Sequence, residues 1–265
     1  MKLNFKQYSD RGEPLLVIHG LFGSLQNWAW HCKKLAEDFA VFGLDLRNHG
    51  ASPHDSTMNY QVMAADVLEF MDDHQIARAH ILGHSMGGKT AMQLALMAPE
   101  RVDALVIADV APVQYGGERG EHDEIFEGLC ALDLATLSSR NEADAQLAQW
   151  VDDDVVRQFL LSNLVRGSDG SFVWRINLPV LRASYPRLRE APIATKPYPE
   201  EVLFIRGDLS DYILPEHKDE LLRLFPKARV KTIAGTGHWL HAEKPETFYR
   251  LVHAHLTQRN RHDPS

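Results

Sequence analysis

The chain has 265 residues, of which 45% are hydrophobic and 24% charged, and it carries a net charge of −8. This length suits one large α/β domain carrying an insertion, and the acidic balance with dispersed basic residues argues against nucleic acid or an anionic membrane surface as a partner. The N-terminus has no apolar signal region, and no apolar run approaches the roughly 18 residues of a membrane helix, so we expect a cytoplasmic protein that acts on a small molecule.

Six short apolar segments predict the buried strands of a mostly parallel sheet. Helical patterns separate several of them, and this alternation predicts helices on both faces of the sheet. In chain order the strand segments are PLLVIHG (14–20), AVFGLDL (40–46), AHILGHS (79–85), ALVIAD (104–109), EVLFIRGD (201–208) and ARVKTIAG (228–235). The helical segments are MAADVLEFMDDH (63–74), KTAMQLALMAPE (89–100), PEHKDELLRLFP (215–226) and a closing KPETFYRLVHAHL (244–256), with Pro245 in its first turn.

The interval 112–199 breaks the alternation of strands and helices. It contains the helix-forming stretches EIFEGLCALDLATL (124–137) and DDDVVRQFLLSNLV (152–165), with no clear βαβ unit. We therefore predict a core of residues 1–111 and 200–265 and a helical cap of residues 112–199, packed over the edge where open α/β sheets bind ligands. The alternative is a helical appendage away from that edge.

The stretch GHSMGGKT (83–90) admits two interpretations. As G-x-S-x-G, it is the sharp strand-to-helix turn that exposes a nucleophilic serine, Ser85. As G-x-x-x-x-G-K-[ST], it is a nucleotide-binding loop with Lys89 and Thr90, and the strand ending at Asp109 then imitates the one that carries a Mg²⁺-linked aspartate. The rest of the chain decides between them.

Two further loops at the same sheet edge favour the serine. HGLFGS follows the first apolar strand and offers the amide of Leu21, or of the neighbouring Phe22, to a developing oxyanion, while Met86 directly after the serine offers a second amide. GTGHWLH follows the last strand and places His238 in a glycine-flanked loop, where an imidazole can serve as the base that a serine nucleophile requires. The nucleotide-binding interpretation leaves both loops unexplained.

Several strand-end aspartates are candidates for the acid that orients the histidine. Asp109 follows one strand, and Asp208 and Asp211 follow the next. Asp211 lies four residues before Pro215. Since the carboxyl ends of adjacent strands lie about 5 Å apart, either Asp109 or Asp211 is physically admissible.

Neither cysteine nor histidine usage predicts a metal site. Cys32 and Cys130 are far apart with no third cysteine, which predicts reduced thiols, and there is no H-E-x-x-H motif among the histidines.

The motifs HGLFGS, DLRNHGAS, GHSMGGK, ADVAPV and GTGHWLHAEKPE together resemble the α/β-hydrolase superfamily and, within it, the YbfF-type serine esterases. The likeness runs over nearly the whole chain. It implies an eight-stranded, mostly parallel sheet with a helical cap between the sixth and seventh strands, and Asp109 in its D-x-A-P context as the acid. One departure is Asn48, where many members of the superfamily have glycine.

The resemblance also implies cofactor-free hydrolysis of carboxylic esters or thioesters through an acyl-enzyme. Candidates for an apolar acyl pocket are Phe126, Trp174 and Tyr185 in the cap, with Trp239 beside the histidine, although each is also a plausible core residue. The alternatives are a C–C bond hydrolase or a cofactor-free lyase on the same scaffold, and a non-catalytic ligand-binding protein.

Overall fold

The computed structural model describes residues 1–116 and 122–259. The strands are β1 (Phe5–Gln7), β2 (Pro14–Ile18), β3 (Ala40–Leu44), β4 (Ala79–His84), β5 (Val102–Ala108), β6 (Leu164–Arg166), β7 (Phe172–Trp174), β8 (Val202–Gly207) and β9 (Ala228–Ile233). The α-helices are α1 (Ala29–Leu35), α2 (Tyr60–Asp73), α3 (Met86–Met97), α4 (Asp123–Ala131), α5 (Arg140–Leu147), α6 (Asp154–Leu161), α7 (Leu178–Leu188), α8 (Lys218–Leu224), α9 (Leu240–Glu243) and α10 (Pro245–Arg259). Short 3₁₀ helices lie at Leu25–Trp28, Pro99–Arg101 and Pro215–His217.

The central sheet has the strand order β1-β3-β2-β4-β5-β8-β9, and only the edge strand β1 is antiparallel to its neighbour. The expectation of eight strands is therefore wrong, because the described sheet contains seven, and the cap lies between the fifth and sixth of these in chain order, not between the sixth and seventh. The segment before β2 supplies one strand, and the chain then bends through Gly12, whose φ of 82° suits a turn and not a further strand.

The sheet separates two hydrophobic layers. Successive residues of β2 alternate between them: Leu16 and Ile18 pack with α2, α3 and the cap, whereas Leu15 and Val17 pack with α1 and α10. Because both faces are covered, the inner strands are continuous apolar runs, which is why they were recognisable in the sequence.

The segment between β5 and β8 contains α4, α5, α6 and α7 and an antiparallel pair of short strands, β6 and β7. The pair was not expected, and it includes Trp174, which pairs with Leu164. We keep the name cap for residues 112–199; their boundaries as a separate domain stay a prediction. Cap residues from α4, α6 and α7 line the cavities at Ser85.

Candidate active site

Ser85 occupies a strained turn between β4 and α3. Its φ of 53° and ψ of −120° lie in a region that residues with a side chain rarely adopt. Glycines make the turn possible: a Cβ on Gly83 would lie 2.3 Å from the carbonyl oxygen of Gly87, and a Cβ on Gly87 would lie 2.4 Å from that of Ile18. The Ser85 amide donates to the Ala108 carbonyl at 3.0 Å, which fixes the turn against β5.

Asp109 is the carboxylate that contacts His238. The Nδ1 atom of His238 lies 2.8 Å from Oδ2 of Asp109. The Gly207 amide donates to Oδ1 at 3.0 Å, and the Ser210 hydroxyl donates to Oδ2. A carboxylate accepts hydrogen bonds, so Nδ1 carries the proton and Nε2 of the neutral ring is left as a proton acceptor.

The structure places the other two candidate acids elsewhere. Asp208 accepts from the Thr236 amide at 3.1 Å and so caps the loop that precedes His238. Asp211 is exposed and lines a cavity, and within the described residues it forms no hydrogen bond to the histidine. The residue of this loop that reaches Asp109 is Ser210, which sequence reasoning missed; the hydroxyl between the two acids in GDLSD was the available signal.

The ring of His238 is fixed on two sides. The ring of Tyr212 stacks on it at 3.9 Å and 19°, and the His84 ring lies 4.7 Å away. Ser85 and His238 line one narrow cavity of about 40 Å³. Among the described residues, no hydrogen bond joins Ser85 Oγ to His238.

The candidate oxyanion donors Met86 and Leu21 both border a cavity at Ser85. Met86 begins α3, where amides have no partner within the helix and the helix dipole is positive, and Leu21 lines both cavities at Ser85. The alternative donor, the Phe22 amide, already donates to Nε2 of His49 at 3.2 Å. The geometry thus favours Leu21 over Phe22 as the partner of Met86.

Buried histidines hold the loops around Ser85, and sequence reasoning missed them. His84 Nε2 donates to the carbonyl of His238 at 2.9 Å, and His31 Nε2 donates to the carbonyl of His241 at 2.9 Å. Burial lowers the pKa of His84 to about 3, that of His31 to about 4 and that of His49 to about 3. These rings are therefore neutral at physiological pH and act as fixed hydrogen-bonding groups.

The family described as alpha/beta hydrolase fold matches residues 13–245. The chain belongs to this α/β-hydrolase family.

Similar proteins extend over nearly the whole of this α/β-hydrolase. The esterase YbfF of Escherichia coli is 41% identical over 263 residues, which cover 97% of this chain and 99% of that protein. The sn-1-specific diacylglycerol lipase ABHD11 of Xenopus laevis is 41% identical over 250 residues, covering 91% of this chain and 78% of the relative. A solved structure of a marine microorganism esterase superposes with a TM-score of 0.94 at 36% identity, covering 96% of this chain and 99% of that one.

In the α/β-hydrolase structure, Lys89 and Thr90 lie within α3, the helix that follows Ser85. The Thr90 hydroxyl donates to the Met86 carbonyl within α3 at 2.9 Å. Lys89 Nζ donates to three backbone carbonyls of the cap. The Lys89 ammonium is therefore occupied by backbone carbonyls of the cap and is not directed at a phosphate site.

Asn48, where many members of the superfamily have glycine, adopts a backbone conformation that glycine favours. Its φ of 66° is the left-handed conformation that asparagine tolerates better than most residues. Its Oδ1 accepts from the Asp55 amide at 2.9 Å and from Nδ2 of Asn177 at 3.0 Å. The asparagine thus keeps the loop shape and adds a contact to the cap.

Two cavities meet at Ser85, and they contain only part of the predicted acyl pocket. The larger, of about 230 Å³, is lined by Tyr185, and the narrow one by Trp239. Phe126 lines neither; it is buried behind Phe22 at 5.0 Å. Trp174 also lines neither, because strand pairing holds it in β7. Lining residues that sequence reasoning missed include Tyr60, Tyr115 and Tyr212 in the larger cavity and Phe159 in the narrow one.

Within residues 1–116 and 122–259 there is no group of three or more histidine, cysteine, aspartate or glutamate side chains arranged to hold a metal ion. No helix in these ranges has the length and apolar character needed to cross a membrane. The cytoplasmic location and the absence of a cofactor stay predictions.

Proposed function

We propose that this protein is a carboxylesterase that cleaves small-molecule esters with Ser85 as nucleophile, His238 as general base and Asp109 as the acid that orients it. The observation that carries the proposal is the 2.8 Å contact from His238 Nδ1 to buried Asp109, with the histidine and Ser85 on one cavity. The names of the relatives, esterase and diacylglycerol lipase, support ester substrates.

In the first half-reaction His238 Nε2 takes the proton of Ser85 Oγ, and the oxygen attacks the ester carbonyl. The Leu21 and Met86 amides donate to the oxygen that becomes negative. Asp109 stabilises the imidazolium, which then protonates the leaving alcohol. The products of this step are the free alcohol and an acyl group on Ser85.

In the second half-reaction water takes the place of the serine. His238 removes a proton from the water, the hydroxide attacks the acyl carbonyl, and the imidazolium returns its proton to Ser85 Oγ as the acid leaves. A thioester would pass through the same two steps with a thiol as leaving group. Carboxylic esters and acyl thioesters are therefore both proposed substrates.

The proposed activity is tested with p-nitrophenyl esters, acyl-coenzyme A thioesters and a vinylogous diketone, assayed against wild type and Ser85→Ala. We expect ester or thioester hydrolysis that falls by about 10⁴-fold or more in Ser85→Ala. Hydrolysis that survives in Ser85→Ala would refute the proposed nucleophile. Cleavage of the diketone in preference to every ester would instead support C–C bond hydrolysis.

A further inference from the structure

Lys89 is a buried lysine one helical turn beyond Ser85, and ester hydrolysis gives it no role. Its side chain is 1% exposed, yet it borders the larger cavity. Nζ donates to the carbonyls of Val113 at 2.8 Å, Arg189 at 3.1 Å and Glu190 at 2.6 Å. Burial lowers the pKa of Lys89 to about 7, and in its protonated form the ammonium has three N–H donors, one for each of these carbonyls.

The three acceptors lie at the start of the cap and directly after its last helix, α7, and these two segments are called the ends of the cap. Val113 lies just after β5, where the chain enters the cap, whereas Arg189 and Glu190 directly follow α7, the last cap helix. The final carbonyls of a helix lack partners within it and carry partial negative charge, which favours a cation. Lys89 thus caps α7 from a different helix and joins the two ends of the cap.

Aromatic rings complete the surroundings of this ammonium. Nζ lies 4.5 Å from the centre of the Tyr115 ring and 5.6 Å from that of Tyr60, distances at which a cation is attracted to a ring face. The Tyr60 hydroxyl donates to the Leu188 carbonyl at 2.5 Å, so a second core side chain caps α7. Lys89 and Tyr60, which both belong to core helices, therefore fix the C-terminal end of α7.

The residues that Lys89 fixes also form the wall of the larger cavity. Tyr115, Leu188 and Arg189 line it, and they adjoin or contain the carbonyls described above. A shift of either end of the cap would therefore change the space beside Ser85.

We propose that Lys89 is a positioning residue that holds both ends of the cap over Ser85 and thereby determines which acyl groups the larger cavity accepts. The inference rests on the proposed ester hydrolysis and extends it to acyl selectivity. A small acyl group does not need the cavity wall, whereas a long one does. Loss of the lysine contacts should therefore affect long acyl groups selectively.

Gln93 provides a matched control on the same helix. It lies one turn beyond Lys89, is equally buried, and binds the cap backbone three residues beyond Glu190: Nε2 donates to the Ile193 carbonyl at 2.9 Å and Oε1 accepts from the Ile193 amide at 2.8 Å. It does not line either cavity at Ser85. Gln93→Met thus removes a cap contact without altering the cavity wall.

The test compares wild type, Lys89→Met and Gln93→Met with p-nitrophenyl acetate and octanoate. For Lys89→Met we expect kcat/KM to fall about tenfold for octanoate, mainly through KM, and to stay within about threefold for acetate. For Gln93→Met we expect the octanoate-to-acetate ratio of wild type. An unchanged ratio in Lys89→Met, or an equal change in both variants, overturns the proposal.

A second variant decides the matter if Lys89→Met does not fold. Lys89→Gln keeps two N–H donors and buries no charge, but it is too short to reach both ends of the cap, so we expect the same direction of change in selectivity. Failure of both variants to fold also overturns the proposal, because Lys89 would then be required for folding and not for positioning.

Fluorophosphonate labelling separates this inference from the function on which it rests. Wild type and folded variants should be labelled at Ser85 at similar rates, since the probe is small. If wild type is not labelled, the proposed function fails; if all are labelled but selectivity is unchanged, only the inference about Lys89 fails.

Discussion

The proposed catalytic edge of the sheet and the cap meet at Ser85 but are positioned in different ways. Leu21, Ser85, Asp109 and His238 each follow a strand of one parallel sheet, in the spatial order β2, β4, β5 and, beyond β8, β9. The cap is fixed by side chains of core helices that bind its backbone, such as Lys89 and Gln93 on α3. The catalytic edge should therefore tolerate little change, whereas changes in the cap should alter selectivity.

The largest difference is expected between two aspartates. In Asp109→Asn the side chain keeps its shape but loses the charge that stabilises the imidazolium. We therefore expect kcat to fall by about 10⁴-fold, the loss that the same substitution causes in a serine-protease triad. Asp211→Asn should stay within about threefold, because Asp211 does not contact His238. Steady-state kinetics on one ester measures both. A large loss in Asp211→Asn with near-normal Asp109→Asn would mean that the assignment of the acid is wrong.

A matched pair of glycines compares the rigidity of the two regions. A Cβ on Gly87 would lie 2.4 Å from two backbone oxygens, so Gly87→Ala should lower the free energy of unfolding by about 3 kcal/mol. A Cβ on Gly116, at the start of the cap, would meet nothing within 4 Å. Gly116→Ala should therefore change the free energy of unfolding by less than about 0.5 kcal/mol. Denaturant titration of both variants tests this, and equal losses would show that the turn at Ser85 is not specially constrained.

Acid should destabilise the protein through its buried histidines. The folded-state pKa values of His31, His49 and His84 are lowered by burial to about 4, 3 and 3, below the ordinary value of 6.5. Such groups contribute stability above pH 6.5, and this stability is lost as the pH falls towards the folded-state value, because the unfolded chain binds the proton first. Each of these histidines should lower the free energy of unfolding by about 2 kcal/mol between pH 7 and pH 5.

Replacement of His31 isolates one of these contributions. Glutamine can still donate to the His241 carbonyl but does not titrate, so His31→Gln should lose about 2 kcal/mol less stability than wild type between pH 7 and pH 5. Denaturant titrations at the two pH values measure the difference. An identical acid loss in both proteins would show that His31 does not contribute.

The smallest expected effect concerns three aromatic residues. Tyr185→Ala and Trp239→Ala enlarge the two cavities and should shift the preference for acyl length by about tenfold. Trp174 lies outside both cavities, so Trp174→Ala should leave the preference for acyl length unchanged. A panel of esters of graded chain length tests all three, and a shift in Trp174→Ala alone would place the acyl group elsewhere.

The sequence predicted which residues lie together at this edge of the sheet because each of them follows a recognisable buried strand. Ser85 and His238 have glycine-rich local patterns, and a parallel sheet brings such strand ends together whatever the loops contain. Asp109 and Asp211 both follow strands, so only the resemblance to a family favoured Asp109. Which of the two contacts His238 depends on the direction of each side chain, and the local sequence does not determine this direction.

Other features depend on contacts between distant residues and left no local pattern. Lys89 resembled a phosphate-binding lysine because nothing near it in sequence indicates that its partners lie about one hundred residues away. The short strands β1, β6 and β7 have three residues each, too few for a periodic pattern. Trp174 was predicted to line the pocket only because it is a large aromatic residue in the cap.

The central claim, that Ser85 is a nucleophile activated by His238, is tested most directly by reaction with a fluorophosphonate followed by peptide mapping. The account predicts one adduct, on the peptide that contains Ser85, no labelling in Ser85→Ala and severely slowed labelling in His238→Ala. An unlabelled wild-type protein that binds ATP, and loses that binding in Lys89→Ala, would contradict the account and restore the nucleotide-binding interpretation of GHSMGGKT.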